Sequence, residues 1–160
     1  MERERAEQDE ATAFHEAGHA VMALALGRPV ASVSILPDRR FLGICEFGKA
    51  VFRPSEDWLE REMLIALAGI AAEARHTGEY AWGAADRDRA YAEELAAERG
   101  GDRRKSQRLM RRTLSKAEYL LGRDENWRAV EKLAAELLRL GEISGRAARH
   151  LYEECQKKDR

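Results

Sequence analysis

Hydrophobic residues recur at helical spacing along residues 9–26, and this pattern predicts the first helix of the chain. Gly27 and Pro29 follow and are typical of a helix end. The period then changes, because apolar and polar residues alternate over short segments that are typical of half-buried strands. These strand candidates are residues 30–36, 41–47 and 50–52. Their short connections favour a small antiparallel sheet of two or three strands.

The chain after Pro54 has helical periodicity throughout. Glycines separate its segments, and each segment begins at a residue that can cap a helix, which predicts five further helices. The predicted caps are Ser55, Asp86, Asp102, Asp124 and Ser144, and the first four helices end near His76, Arg99, Leu121 and Gly141. The expected fold is therefore α+β and mainly α-helical, with a C-terminal helical bundle. Residues 1–160 are long enough for one domain with its own core.

Charge is nearly balanced, with 28 Lys and Arg against 29 Asp and Glu and a net charge of −1. Such a chain has no general attraction for nucleic acid or anionic membrane. The basic run in the predicted fourth helix, residues 103–112, is expected to be a solvated face that the acidic third helix balances. No apolar run approaches the roughly 20 residues that span a bilayer, and residues 1–10 do not form an apolar leader. Cys45 and Cys155 are expected as free thiols, so we expect a soluble, cytoplasmic protein without a nucleic-acid partner.

The first predicted helix contains His15-Glu16-Ala17-Gly18-His19, an HExxH motif. His15 and His19 lie one turn apart on the same helix face, so both imidazoles can bind one zinc ion. Glu16 lies on the adjacent flank, where it can take a proton from water activated by the metal and later protonate the leaving amine. The small apolar residues around the motif suit a dry metal pocket. The motif therefore predicts a zinc-metallopeptidase site with His15 and His19 as ligands and Glu16 as the general base.

A catalytic zinc site needs a third protein ligand. The downstream candidates are Cys45, Glu73, His76, Asp86 and Asp88. Apolar residues follow Asp88 at i+4, i+7 and i+8, so Asp88 should point inward, whereas Glu93 and Glu94 follow Asp86 and favour a capping role for it. Glu73 lies in an apolar helix and needs a partner there, either as a ligand or by orienting a ligand histidine. The residue pattern alone leaves the choice between Asp88 and Asp86 open.

Four segments, taken in order, resemble the FtsH-type peptidase domain, the proteolytic half of the ATP-dependent membrane proteases. Residues 14–21 resemble its zinc-binding helix, and residues 67–74 (Leu-Ala-Gly-Ile-Ala-Ala-Glu-Ala) resemble its glycine-containing Ala-Glu helix. Residues 83–96 are similar to its Gly-Ala…Asp segment, and residues 130–143 to its C-terminal helices. The resemblance implies a zincin-like metallopeptidase with Zn²⁺ as cofactor and Asp88 as the third ligand. It also implies that Glu73 supports the site rather than binding the metal.

The same resemblance implies an endopeptidase that acts on unfolded or extended polypeptides laid along a sheet edge, for which residues 31–36 are the candidate strand. The chain departs from the family in having no GxxxxGK[ST] sequence, and Arg87 stands where the family often has Asn or Ser before the metal aspartate. ATP-driven threading is therefore not expected of this chain alone, and a separate ATPase or adaptor is a candidate partner. Three other interpretations stay open: a degenerate module that binds peptides without cleaving them, a subunit active only with such a partner, and a helical scaffold without metal.

Overall fold

The structure, a computed structural model, describes residues 1–37, 43–48 and 57–157, and for residues 84–86 the backbone alone. These ranges contain six α-helices and three short strands. The helices are α1 (Glu2–Ala25), α2 (Trp58–Thr77), α3 (Asp86–Glu98), α4 (Arg103–Leu121), α5 (Asp124–Leu140) and α6 (Gly145–Gln156). The strands are β1 (Val30–Ser34), β2 (Ile44–Phe47) and β3 (Glu142–Ser144), and a 3-10 helix, Trp82–Ala85, leads into α3. The expected mainly α-helical α+β fold is confirmed.

Two helices, α1 and α2, form the centre of the fold. Every residue of α1 from Thr12 to Ala23 is buried, and so is every residue of α2 from Arg61 to Ala74. Helices enclosed on all sides can approach closely only where their residues are small. A Cβ at Gly18 would lie 2.5 Å from the Cβ of Ala72 and 2.6 Å from the carbonyl oxygen of Ala68. The HExxH motif of α1 therefore lies directly against the middle of α2.

The other helices pack around this pair. α3 and α4 lie against α2, α5 lies against α1, and α6 lies against α5 and β1. Asp102 and Ser144 cap α4 and α6 as predicted, by accepting hydrogen bonds from the backbone N–H groups of Lys105 and Ala147. None of the helices in the described ranges is long and apolar enough to cross a bilayer.

The predicted small antiparallel sheet is confirmed and has three strands in the order β2-β1-β3. β1 is the central strand and pairs with β2 on one side and β3 on the other, so Val33 lies between Cys45 and Ile143. The expectation that residues 31–36 offer a free edge is therefore wrong, because both sides of β1 are paired. β2 has an unpaired outer side among the described residues. The third strand comes from residues 142–144, where the sequence predicts only helices, and the candidate at residues 50–52 lies outside the described ranges.

Three helix starts also differ from the predicted ones. α1 begins at Glu2 rather than near residue 9, because the charged residues before the motif are good helix formers and Arg3 pairs with Glu7 one turn later. α2 is capped by Asp57, whose carboxylate accepts the N–H of Glu60; the predicted cap, Ser55, lies outside the described residues. α5 has its N-cap at Arg123, and Asp124 instead lies in the first turn, where its charge favours the helix dipole.

Candidate metal centre

Three predicted ligands, His15, His19 and Asp88, meet at one point between α1 and α3. Both imidazoles are buried, with 8% of His15 and 7% of His19 exposed, and their ring centroids lie 4.8 Å apart. Asp88, near the start of α3, places its Oδ2 2.9 Å from Nε2 of His15 and 3.0 Å from Nε2 of His19. Glu16 is also buried, at 7% exposure, and lines the same cleft. The structure thus brings the four residues selected from the sequence into one site.

Contacts from α2 hold both imidazoles by their other nitrogen. The Nδ1 of His19 lies 2.7 Å from the carbonyl oxygen of Ile65, which can only accept, so Nδ1 donates and Nε2 is left for a metal. The Nδ1 of His15 faces Oε1 of Glu73 at 3.9 Å, too long for a hydrogen bond but close enough for electrostatic orientation. Glu73 is 4% exposed and lies on the side of His15 opposite to Asp88. This position suits a residue that orients His15 rather than one that binds the metal.

Gly69 of α2 lies directly beside the ligand nitrogens of His15 and His19. A Cβ at this position would lie 2.4 Å from Nε2 of His19 and 2.7 Å from Nε2 of His15. Any side chain here would occupy the space in which the two ligand nitrogens converge. Gly69 therefore keeps this space free.

The electrostatics of the cluster favour a positive charge between the ligands. Burial lowers the pKa of His19, but the carboxylates of Asp88 and Glu16 and the hydrogen bonds outweigh it and raise that pKa to about 9. Burial raises the pKa of Asp88, but the two histidines hold it well below its usual range. The pKa of Glu16 is raised, because burial of its carboxylate outweighs the attraction of His19 and His15. Without a metal, His19 thus holds its positive charge beside the Asp88 carboxylate, where a metal cation would also be stabilised.

The donor set fits a catalytic zinc ion. One atom each from His15, His19 and Asp88 lies within 4.8 Å of the others. Two imidazole nitrogens and one carboxylate oxygen are a typical three-ligand set that leaves the fourth zinc position open. The open side faces a cleft of about 530 Å³. The residues present are therefore suited to hold zinc and to expose it to a substrate.

The other candidate ligands lie elsewhere or are unsuited. Cys45 lines the cleft, but it is not part of the group of converging ligand atoms, and burial raises the pKa of its thiol well above the usual value. His76 pairs with Glu10 at 2.9 Å and stacks on Phe14. The side chain of Asp86 lies outside the described residues.

Sequence reasoning missed several groups around the site. Gly69 is one, although a glycine inside a strong helical pattern is itself a signal of close approach. Arg28, Glu62 and Tyr91 also line the cleft, where the guanidinium of Arg28 is hydrogen-bonded to Glu62 and lies over the ring of Phe47. These residues come from distant parts of the chain, and no local pattern relates them to the motif.

Fold and site together define a mainly helical protein of the HExxH class, with a two-histidine, one-aspartate cluster at the base of an open cleft. The model of Peptidase family M41 matches residues 3–100, a range that includes all three predicted ligands and Glu16. The chain belongs to Peptidase family M41, and its resemblance to the FtsH-type peptidase domain is confirmed. No curated protein matches the sequence.

Proposed function

We propose that this protein is a zinc-dependent endopeptidase that hydrolyses extended segments of unfolded polypeptides. The observation that carries the proposal is the convergence of His15 Nε2, His19 Nε2 and Asp88 Oδ2 beside the buried carboxylate of Glu16. Membership of Peptidase family M41 supports the peptidase class, and zinc is the metal that this family uses in general. A cytoplasmic location is part of the proposal and agrees with the free thiols of Cys45 and Cys155.

His15, His19 and Asp88 would hold the metal and Glu16 would move the proton. Zinc, when bound, supplies a Lewis acid that polarises the scissile carbonyl and lowers the pKa of water towards neutrality. Glu16 accepts a proton from the attacking water and delivers it to the nitrogen of the leaving amine, so that the peptide bond breaks without an acyl-enzyme. In the metal-free protein, burial raises the pKa of the Glu16 carboxyl, which favours a role in proton transfer.

The outer edge of β2 is the best candidate for the substrate-binding strand. Gly43, directly before β2, lies so close to Glu16 that a Cβ there would come within 3.0 Å of its Cγ. Ile44, Cys45 and Phe47 continue from this point along the cleft. An extended peptide that adds to the side of β2 that is unpaired among the described residues would therefore pass Glu16 and the ligand cluster. Because this mode needs extended backbone, folded substrates would require a separate ATPase or adaptor.

The test is cleavage of a labelled, permanently unfolded protein with added zinc, by the parent and by Glu16→Gln. Glu136→Gln is the matched control, because it makes the same change on the exposed face of α5. We expect Glu16→Gln to lose at least about 100-fold in turnover, as expected for removal of a general base, and to keep its bound zinc. The control should cleave like the parent.

Each other outcome selects a different function. Equal cleavage by Glu16→Gln and the parent would refute Glu16 as the base. Bound zinc and peptide binding without cleavage by either protein would favour a non-cleaving module, or a subunit that needs its partner. Failure of the parent to bind zinc at all would favour a helical scaffold whose histidines are only structural.

A further inference from the structure

The outer surface of α4 carries an unusual concentration of positive charge. Between residues 103 and 117 the helix contains no acidic residue. The exposed cations of its first half, here called the α4 cationic face, are Arg103, Arg104, Lys105, Arg108, Arg111 and Arg112. None of their side chains forms an ion pair or hydrogen bond within the described part of the chain.

This arrangement differs from the other exposed helices of the protein. On several other helices, cations have glutamate partners three or four residues away, as in Arg3–Glu7 at 3.0 Å and Arg149–Glu153 at 2.9 Å. On α4 the neighbours at these spacings are themselves cations, and like charges so placed destabilise a helix. No ion pair joins α3 to α4 among the described residues, and Glu93 of α3 pairs with Arg89 on its own helix. The uncompensated repulsion indicates that this face is suited to an anionic ligand from outside.

An apolar groove borders the cationic face. It lies between α3 and α4 and has a volume of about 650 Å³. Leu67, Met110 and Leu114 form its apolar part, and Trp82 contributes the wall. The rim carries Arg89, Arg103 and Arg111 together with Glu93, which pairs with Arg89, so Arg103 and Arg111 supply its unpaired positive charge among the described residues. A ligand that matches both features has negative charges around one apolar side chain.

We propose that this groove docks an acidic segment of the polypeptide substrate, anchored by one apolar side chain. A nucleic acid fits the groove less well, because the ring of Trp82 already stacks on Tyr80 at 5.3 Å and carries the guanidinium of Arg89 at 5.4 Å. The aromatic surface that a base would need is therefore engaged. Aliphatic groups at the base of the groove favour a side chain such as leucine instead.

The groove lies close to the candidate metal centre. The choice of a substrate as its ligand rests on the proposed peptidase function. Asp88 faces the metal cluster, and the next residue, Arg89, faces the groove, so α3 alone separates the two. A helix is about 10 Å across, which about three to four extended residues can span. One polypeptide can therefore occupy the groove and the cleft at the same time.

Binding can be measured without cleavage in the Glu16→Gln protein. The probe is a short fluorescent peptide of glutamate and glycine with one central leucine, followed by fluorescence anisotropy. We expect the double variant Arg103→Glu/Arg111→Glu to weaken binding at least about tenfold, since charge-assisted contacts become repulsive. The control Arg3→Glu/Arg5→Glu changes the net charge equally on the exposed start of α1 and should leave affinity within about twofold. Thermal melting of each variant shows whether the fold is kept.

Several results would overturn the docking proposal. Equal weakening by the control variant would mean that only net charge matters. Equal binding of a peptide with serine in place of leucine would show that binding needs no apolar anchor. Tighter binding of a short single-stranded oligonucleotide would show that the face is a nucleic-acid site. No measurable binding of the leucine peptide would also refute it.

A cleavage experiment separates this proposal from the proposed function. The same acidic segment is fused to an unfolded reporter, and its cleavage by otherwise unmodified protein is compared with that of the unfused reporter. We expect the segment to lower KM about tenfold with little change in kcat, and the Arg103→Glu/Arg111→Glu variant to remove this advantage while cleaving the unfused reporter normally. Cleavage of both reporters with equal KM would refute the docking groove alone. Peptide binding by a protein that cleaves neither reporter would instead refute the peptidase function and, with it, the assignment of a substrate as the ligand.

Discussion

Replacement of Gly69 by alanine tests whether α2 shapes the metal site. The new Cβ would lie 2.4 Å from Nε2 of His19 and 2.7 Å from Nε2 of His15, whereas ordinary van der Waals contact begins at 3.4 Å. The His19 nitrogen would have to retreat by about 1 Å, and the His15 nitrogen by somewhat less. Zinc–nitrogen bonds of about 2.0–2.1 Å tolerate displacements of only about 0.2 Å. Both imidazoles would thus be moved out of the positions in which they can bind the same zinc ion.

We expect Gly69→Ala to raise the dissociation constant for zinc at least about 100-fold, or about 3 kcal/mol. Even the loss of a contact that only supports a ligand lowers metal affinity by about 10- to 100-fold. Helix stability itself does not suffer, since alanine is favoured over glycine in a helix by about 1 kcal/mol. Because displaced histidines would also lose their contacts with Ile65 and Asp88, the metal-free melting temperature should fall, but by less than for a Cβ that clashes with backbone atoms. The rise in melting temperature that zinc gives the parent should be lost.

The assay combines thermal melting with and without zinc, chelator competition for affinity, and the visible spectrum of the Co²⁺-substituted protein. Gly18→Ala is the matched control, because its Cβ would meet backbone and Cβ atoms of α2 rather than the ligand nitrogens. That control should destabilise both forms by about 1–3 kcal/mol, as overpacking does. Parent-like zinc affinity in Gly69→Ala, or equal loss of metal-free stability in the two variants, would refute the reasoning.

Three further predictions concern single groups. Asp88→Asn keeps the shape of the side chain but removes its charge, and it should weaken zinc binding by at least about tenfold in chelator competition; unchanged affinity would point to another third ligand. Because the pKa of metal-free His19 is about 9, zinc binding near neutral pH should release about one proton, seen by calorimetry in buffers of different ionisation enthalpy, and absence of release would contradict the pairing with Asp88. The raised pKa also means that the His19–Asp88 contribution to metal-free stability is full below the unfolded value of about 6.5 and is lost as pH rises through about 9, which urea unfolding across this range can follow. Asp57→Ala removes the side chain that caps α2 and should lower the free energy of unfolding by about 1 kcal/mol in urea, whereas an unchanged midpoint would mean that the cap is dispensable.

The parts of the site that lie within one helix could be predicted from the sequence. His15, Glu16 and His19 are fixed relative to one another by the period of α1, so their spacing alone predicts the shared face. Asp88 could be selected as a candidate ligand because the residues after it show which side of α3 is buried. Its distance to the histidines, however, depends on how α3 packs on α2. The side chains of Arg28 and Tyr91 have no such local signal.

The sheet also shows that a local pattern predicts an element but not its distant partners. Alternation predicts β1 correctly as a strand, but the order of strands depends on which distant segment pairs with it. β3 has only three residues, too few to establish a period, and its pairing with β1 closes the edge that the sequence suggested as free. The side of β2 that is unpaired among the described residues, and with it the proposed position of the substrate, could be identified only once both partners of β1 were known.

α2 connects the core of the protein to its candidate chemistry. Ile65, Gly69 and Glu73 are spaced four residues apart and therefore lie on the same side of this helix, against the motif of α1. The first orients His19 through its carbonyl oxygen, the second leaves space for the ligand nitrogens, and the third faces His15. A shift of α2 by one residue would rotate all three away from the histidines, by about 100°. The geometry of the metal site is thus set by the close packing of α1 on α2, and the forces that hold the fold together also hold the ligands in place.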